Sequence, residues 1–152
     1  FIFDRQKLSA TYRTSDLNNP SQPAVEKALN VAQDAQDLLS AFYFVRLQRL
    51  KEGDVLRFPL VFEAAQHEFD LIVHGSEEVE IDLGKFKTIK LEPKLFGPGR
   101  LIRREGEMTM WVTDDEQHTP VKLIAKTSNA TITANLTKIT NGKLTPITNQ
   151  NP

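Results

Sequence analysis

The chain has 152 residues, 39% hydrophobic and 26% charged, a composition typical of one globular domain that folds without disulfides or a structural metal. Its 19 basic and 20 acidic side chains give a formal charge of −1, which argues against nucleic acid as a partner. The chain contains no cysteine, so its composition excludes thiol catalysis and thiolate zinc sites.

The N-terminal third is expected to contain a strand, a loop and a weak helix. Residues 1–4 are apolar and lack an initiator Met or signal-peptide pattern, so we interpret the start as a cut end of a longer protein. Leu8, Ala10 and Tyr12 alternate with polar residues, which predicts a short strand before a loop at 15–23. Residues 25–36 are polar and alanine-rich, and we expect at most a weak helix there.

A strongly apolar helix is predicted at residues 37–47. Asp37 or Asp34 is the expected N-cap, and Arg46 suits the negative end of the helix dipole. All faces of the helix carry apolar side chains, so we expect it to be enclosed on most sides or to lie across a concave sheet. This apolar stretch is about half the length of a membrane-spanning helix.

After Gly53 the hydrophobic period changes to two, which predicts strands joined by short turns, and hence an antiparallel meander. The acidic face of one strand and the lysines of the next are expected to pair. The predicted strands cover residues 55–62, 67–74, 76–83, 85–91, 107–113, 120–126 and 130–139. We therefore predict a single β-rich domain over residues 1–140 and a flexible tail over 141–152.

Several segments resemble a family of exported bacterial proteins, the domain of unknown function 3108, over about residues 1–140. The matching segments are residues 3–4, 36–46, 84–90, 103–115 and 120–121. The resemblance implies a periplasmic or cell-envelope location. It also implies a curved antiparallel sheet or half-barrel packed on one apolar α-helix, similar to the half-barrels of lipoprotein carriers. It implies no established activity.

The aromatic residues of the helix suggest a ligand site. If the sheet curves incompletely round the helix, an apolar cleft would form, with Arg46 at its mouth facing an acidic or phosphate headgroup. The expected lining residues are Phe42, Tyr43, Phe44 and Trp111. The alternative is that these side chains fill the hydrophobic core, as aromatic residues at helical spacing usually do.

The segment 114–118 carries Asp114, Asp115 and His118, which could serve acid–base chemistry, with Ser40 as a conceivable nucleophile. The alternative is a solvated hairpin loop in which Asp side chains bind backbone amides. His67, His74 and His118 lack the spacing that brings imidazoles onto one metal. No metal or cofactor is therefore predicted.

Three functional hypotheses remain at this point. The first is a non-catalytic envelope protein that binds a lipid or another apolar ligand, or offers its cleft to an envelope partner. The second is a structural or interaction module whose exposed strand edges pair with a partner or a second copy. The third is a hydrolase that uses Asp114, Asp115 and His118.

Overall fold

The structure, a computed structural model, describes residues 1–97, 102, 105–140 and 146. These residues form two antiparallel sheets and one α-helix, so the predicted mainly β fold is confirmed. The chain divides into two units. One comprises Phe1–Tyr43 and Phe58–Glu68, and the other comprises Phe44–Arg57 and the described residues from Phe69 onward. Apart from Pro146, the predicted tail at 141–152 lies outside the described residues.

The first unit contains a three-stranded sheet in the order β1-β2-β3. Its strands are β1 Ile2–Asp4, β2 Ser9–Thr14 and β3 Val25–Asn30. Ala10 of β2 lies opposite both Phe3 and Leu29, and it is buried in a small apolar cluster. The weak helix predicted at 25–36 is wrong over β3, because pairing with β2 outweighs the helix preference of its alanine-rich sequence.

Helix α1, Leu38–Arg46, forms where it was predicted. Its buried stripe contains Ala41 and Val45, which are four residues apart. Leu39, Tyr43 and Leu47, also at four-residue spacing, are 70%, 61% and 84% exposed. The expectation of a helix enclosed on most sides is therefore wrong, whereas the alternative of a helix on a curved sheet is consistent with the fold. Apolar side chains at these positions do not have to be buried.

The second sheet has six strands in chain order, β4 to β9. Its strands are β4 Val55–Phe62, β5 Ala65–Ile81, β6 Gly84–Pro93, β7 Gly106–Thr113, β8 Pro120–Thr127 and β9 Thr131–Asn135. The two strands predicted at 67–74 and 76–83 are one continuous strand, β5, whose pairing with β6 shifts register between Val73 and Ser76. An irregularity of this kind bends a strand without ending it.

The β5–β6 hairpin shows the predicted pairing of acidic and basic side chains. Glu80 lies opposite Lys85 and Glu78 opposite Lys87, while Lys85 forms its ion pair with Glu78 at 2.5 Å. Beside these charges lies a buried apolar cluster in the second unit. Its members are Val79, Ile81, Phe86 and Val121, with Trp111 and Leu136 packed against them.

Candidate functional site

A cleft of about 290 Å³ lies on strands β6, β7 and β8, and we name it the Trp111 cleft. It is lined by Lys90, Glu107, Thr109, Trp111, Ile124 and Lys126. Alternate residues of a strand point to the same face of a sheet, which places Glu107, Thr109 and Trp111 side by side on β7. The strand register adds a second alignment across the sheet. Trp111 lies opposite Lys90 of β6 on one side and opposite Lys122 of β8 on the other.

Contacts at several points hold the indole of Trp111 in place. Its Nε1–H donates a hydrogen bond to the carboxylate of Glu77 on β5. The ammonium nitrogen of Lys122 lies 5.8 Å from the ring centroid, within the range of a cation–π interaction. Thr88 is fully buried, and its hydroxyl donates to the Glu77 carbonyl oxygen at 2.8 Å, which fixes the strand that carries the acceptor. The half-buried ring is therefore oriented before any ligand arrives.

The charges around the Trp111 cleft are unevenly compensated. Lys126 forms an ion pair with Glu107 at 3.0 Å across β7 and β8. Within the part of the chain that the structure describes, no carboxylate forms an ion pair with Lys90 or Lys122. The cleft thus has a mixed lining around Trp111 and Ile124, and Lys90 in it and Lys122 beside it have no acidic partner among these residues.

The loop between β7 and β8 contains the residues of the predicted acid–base site. Asp114 accepts hydrogen bonds from Lys87 Nζ at 2.8 Å and from Ser76 Oγ at 3.0 Å. The bond from Lys87, helped by that from Ser76, lowers the pKa of the Asp114 carboxyl against the opposing effect of its partial burial. This carboxylate is a fixed anion that joins the loop to β5 and β6.

Asp115 binds its own loop. Its Oδ1 accepts hydrogen bonds from Thr113 Oγ1 at 2.8 Å, the Gln117 amide at 2.9 Å and the His118 amide at 3.2 Å. His118 has a φ of 42°, and its Nδ1 lies 3.2 Å from the Arg46 carbonyl oxygen. These contacts match the solvated hairpin loop that we set against acid–base chemistry. Among the residues described, no three His, Asp or Glu side chains are grouped to hold a metal ion.

The residues predicted to bind a ligand have different surroundings. Phe42 and Phe44 are half-buried on α1, whereas Tyr43 is 61% exposed. Arg46 Nε donates to the Gln117 carbonyl oxygen at 2.8 Å. Trp111 is the predicted residue that lines the strand cleft. Whether the helix residues contact a ligand stays a prediction.

The lysines of the Trp111 cleft were missed by sequence reasoning. Lys90 lies on β6, and Lys122 and Lys126 lie on β8, so only the strand register brings them beside Trp111 on β7. The prediction of strands at 85–91 and 120–126 was a usable signal, because alternate residues of a strand lie on the same face. It does not give the register between the strands.

The fold and the cleft define a mainly β protein of two antiparallel sheets that bears an aromatic, lysine-flanked surface cleft. The chain belongs to the family described as protein of unknown function (DUF3108), whose model matches residues 1–137, and the resemblance drawn from the sequence is confirmed. No curated protein and no solved structure matches the chain. No helix among the described residues has the length and apolar character needed to cross a bilayer.

Proposed function

We propose that this is a non-catalytic protein of the cell envelope that binds an apolar ligand, such as the acyl chain of a lipid, in the Trp111 cleft. The observation that carries the proposal is the preoriented, half-buried indole of Trp111 beside Ile124 in a cleft of about 290 Å³. The envelope location is the expectation that the family resemblance supports, and it is tested by fractionation of cells that express the full-length protein.

The size and lining of the cleft suit part of an amphiphile. Its volume is close to the lower end of ligand sites, about 300 Å³, so it would hold a segment of chain with the remainder in solvent. Trp111 and Ile124 supply apolar surface, and lysine side chains add their methylene stems. Each methylene removed from water contributes about 0.8 kcal/mol before the entropy cost of binding is subtracted.

The test uses intrinsic fluorescence, because Trp111 is the single tryptophan of the chain. Titration with dodecyl maltoside below its micelle concentration is expected to change the emission saturably. Ile124→Ala should weaken this binding. Ile132→Ala is the matched control, because Ile132 lies on the neighbouring strand opposite Ala125 rather than Ile124 and is 63% exposed. No saturable change, or equal effects of the two substitutions, would contradict the proposal.

A second candidate function is protein interaction through the edge strand β9. All five residues of β9 are exposed, and within the described residues no strand pairs with the side that faces away from β8. Such an edge offers backbone amides and carbonyls to an added strand, from a partner or a second copy. Sedimentation velocity over a wide concentration range tests self-association, and a purely monomeric distribution would count against the second-copy version.

A further inference from the structure

We infer that the ligand of the Trp111 cleft carries a single anionic head group, a phosphate or a carboxylate, held between Lys90 and Lys122. The inference rests on the proposed function, because it assumes that an amphiphile occupies the cleft. It adds the chemical class of the ligand's head group, which the apolar contacts of Trp111 and Ile124 leave open.

The first argument is the geometry of one row of residues across the sheet. Lys90 on β6, Trp111 on β7 and Lys122 on β8 are direct cross-strand neighbours. Neighbouring strands lie about 4.8 Å apart, so the two lysine backbones are roughly 10 Å apart with the backbone of Trp111 between them. Lysine side chains are long and flexible enough to bring both ammonium groups to one anion above the ring.

The second argument is the charge balance of the sheet. The other lysines on or beside strands β6 to β8 are held by acidic side chains. Their pairs are Lys85 with Glu78, Lys87 with Asp114, Lys94 with Glu92 and Lys126 with Glu107. Lys90 and Lys122 have no such partner among the described residues, and both flank Trp111. The two lysines of these strands that lack an acidic partner are therefore both cross-strand neighbours of Trp111.

The carboxylates near the cleft define the limits of the inferred ligand. Glu107 is paired with Lys126, and Glu77 accepts the indole N–H of Trp111. These acidic groups would repel an extended polyanion, and the chain as a whole has a net charge of −1. A head group with one localised anion, attached to an apolar chain that reaches Trp111, fits this arrangement.

Isothermal titration calorimetry of the full chain with dodecyl phosphate, dodecanoate, dodecyl maltoside and inorganic phosphate tests the inference. We expect both anionic amphiphiles to bind at least about tenfold more tightly than the maltoside, and more weakly as salt is added. Lys90→Gln and Lys122→Gln should each weaken dodecyl phosphate binding by about tenfold and maltoside binding much less, so that the preference for the phosphate over the maltoside is lost. Lys85→Gln is the matched control and should alter neither affinity.

The outcomes separate this inference from the proposed function. Equal affinities for the anionic and maltoside ligands would overturn the anionic head group and leave the apolar site standing. Failure of every dodecyl ligand to bind would overturn both this inference and the proposed function. If inorganic phosphate binds as tightly as dodecyl phosphate, the dodecyl chain of the ligand contributes nothing to binding. That result would overturn the inferred amphiphile and make the two lysines a site for a free anion. Circular dichroism of each variant confirms that the sheet is intact.

Discussion

Asp37 and Ser40 exchange hydrogen bonds across the first turn of α1. The Ser40 amide donates to Asp37 Oδ1 at 2.7 Å, and the Asp37 amide donates to Ser40 Oγ at 2.9 Å. This reciprocal arrangement satisfies two amides at the start of the helix, where no carbonyl is available within the helix itself. Asp37 is therefore the N-cap, and Ser40, considered above as a nucleophile, has a structural role in this turn.

Asp37→Ala should lower the free energy of unfolding by about 1 kcal/mol, because the Ser40 amide loses its acceptor. Asp37→Asn keeps an oxygen in the same place and should cost much less. Urea unfolding followed by circular dichroism measures both. Equal stability of the alanine variant and the parent chain would show that the cap contributes nothing.

Gly106→Ala should destabilise the protein by about 1 to 3 kcal/mol. A Cβ at Gly106 would lie 2.7 Å from the Lys126 carbonyl oxygen and 2.7 Å from Phe96 Cδ1, so backbone or an aromatic ring has to move. Gly75→Ala is the control, because its Cβ would meet only the carboxylate end of Glu52, at 3.0 Å or more. Thermal unfolding of the two variants compares them directly, and a larger loss at Gly75 would contradict the packing at β7.

Asp114 should make part of the stability depend on pH. The bond from Lys87 lowers the pKa of Asp114 in the folded protein below its pKa in the unfolded chain, about 3.8. The ionised carboxylate therefore stabilises the fold at pH values above the unfolded pKa, and this stabilisation is lost as the pH falls through the folded pKa. Asp114→Asn should cost roughly 0.5 to 1 kcal/mol near neutral pH, since Lys87 is largely exposed and its charge is screened.

The measurement is urea unfolding of the parent chain and the Asp114→Asn variant at a series of pH values. The difference between the two chains should shrink as the medium becomes more acidic than the folded pKa of Asp114. Added salt should reduce the difference near neutral pH. A difference that is constant over the whole pH range would show that the ion pair with Lys87 does not contribute.

Substitutions at Asp115 distinguish the structural loop from the hydrolase hypothesis. Asp115→Ala removes the acceptor of three hydrogen bonds and should lower the free energy of unfolding by about 1 kcal/mol, while Asp115→Asn keeps most of them. A hydrolase predicts instead that the Asn variant loses an ester-cleaving activity without a drop in melting temperature. Paired melting and p-nitrophenyl ester assays decide between the two.

Much of the six-stranded sheet could be predicted from local sequence. Strands β6, β7 and β8 were expected at 85–91, 107–113 and 120–126, and they form within two residues of those bounds. Short runs of apolar and β-branched residues between turn segments suffice to predict strands there. Strand β3 was missed, since its exposed residues give no such alternation and its strand conformation depends on pairing with β2.

The candidate site was only partly predictable. Trp111 could be chosen from its residue type, but the surroundings of α1 depend on which of its apolar faces is covered. Exposure of Tyr43 and bonding of Arg46 to Gln117 are outcomes of tertiary packing that the helical period does not encode. The row of Lys90, Trp111 and Lys122 likewise depends on register, which is set by the whole sheet.

The division of the chain into two units has a consequence for its expression in pieces. The chain passes from one unit to the other after Tyr43, after Arg57 and after Glu68, so that α1, β4 and β5 each contribute residues to both. No single cut yields either unit as an uninterrupted polypeptide. Deletions that shorten the chain from its N-terminus up to Tyr43 will therefore remove only the first segment of the first unit. Its second segment, Phe58–Glu68, stays in the chain between the two segments of the second unit.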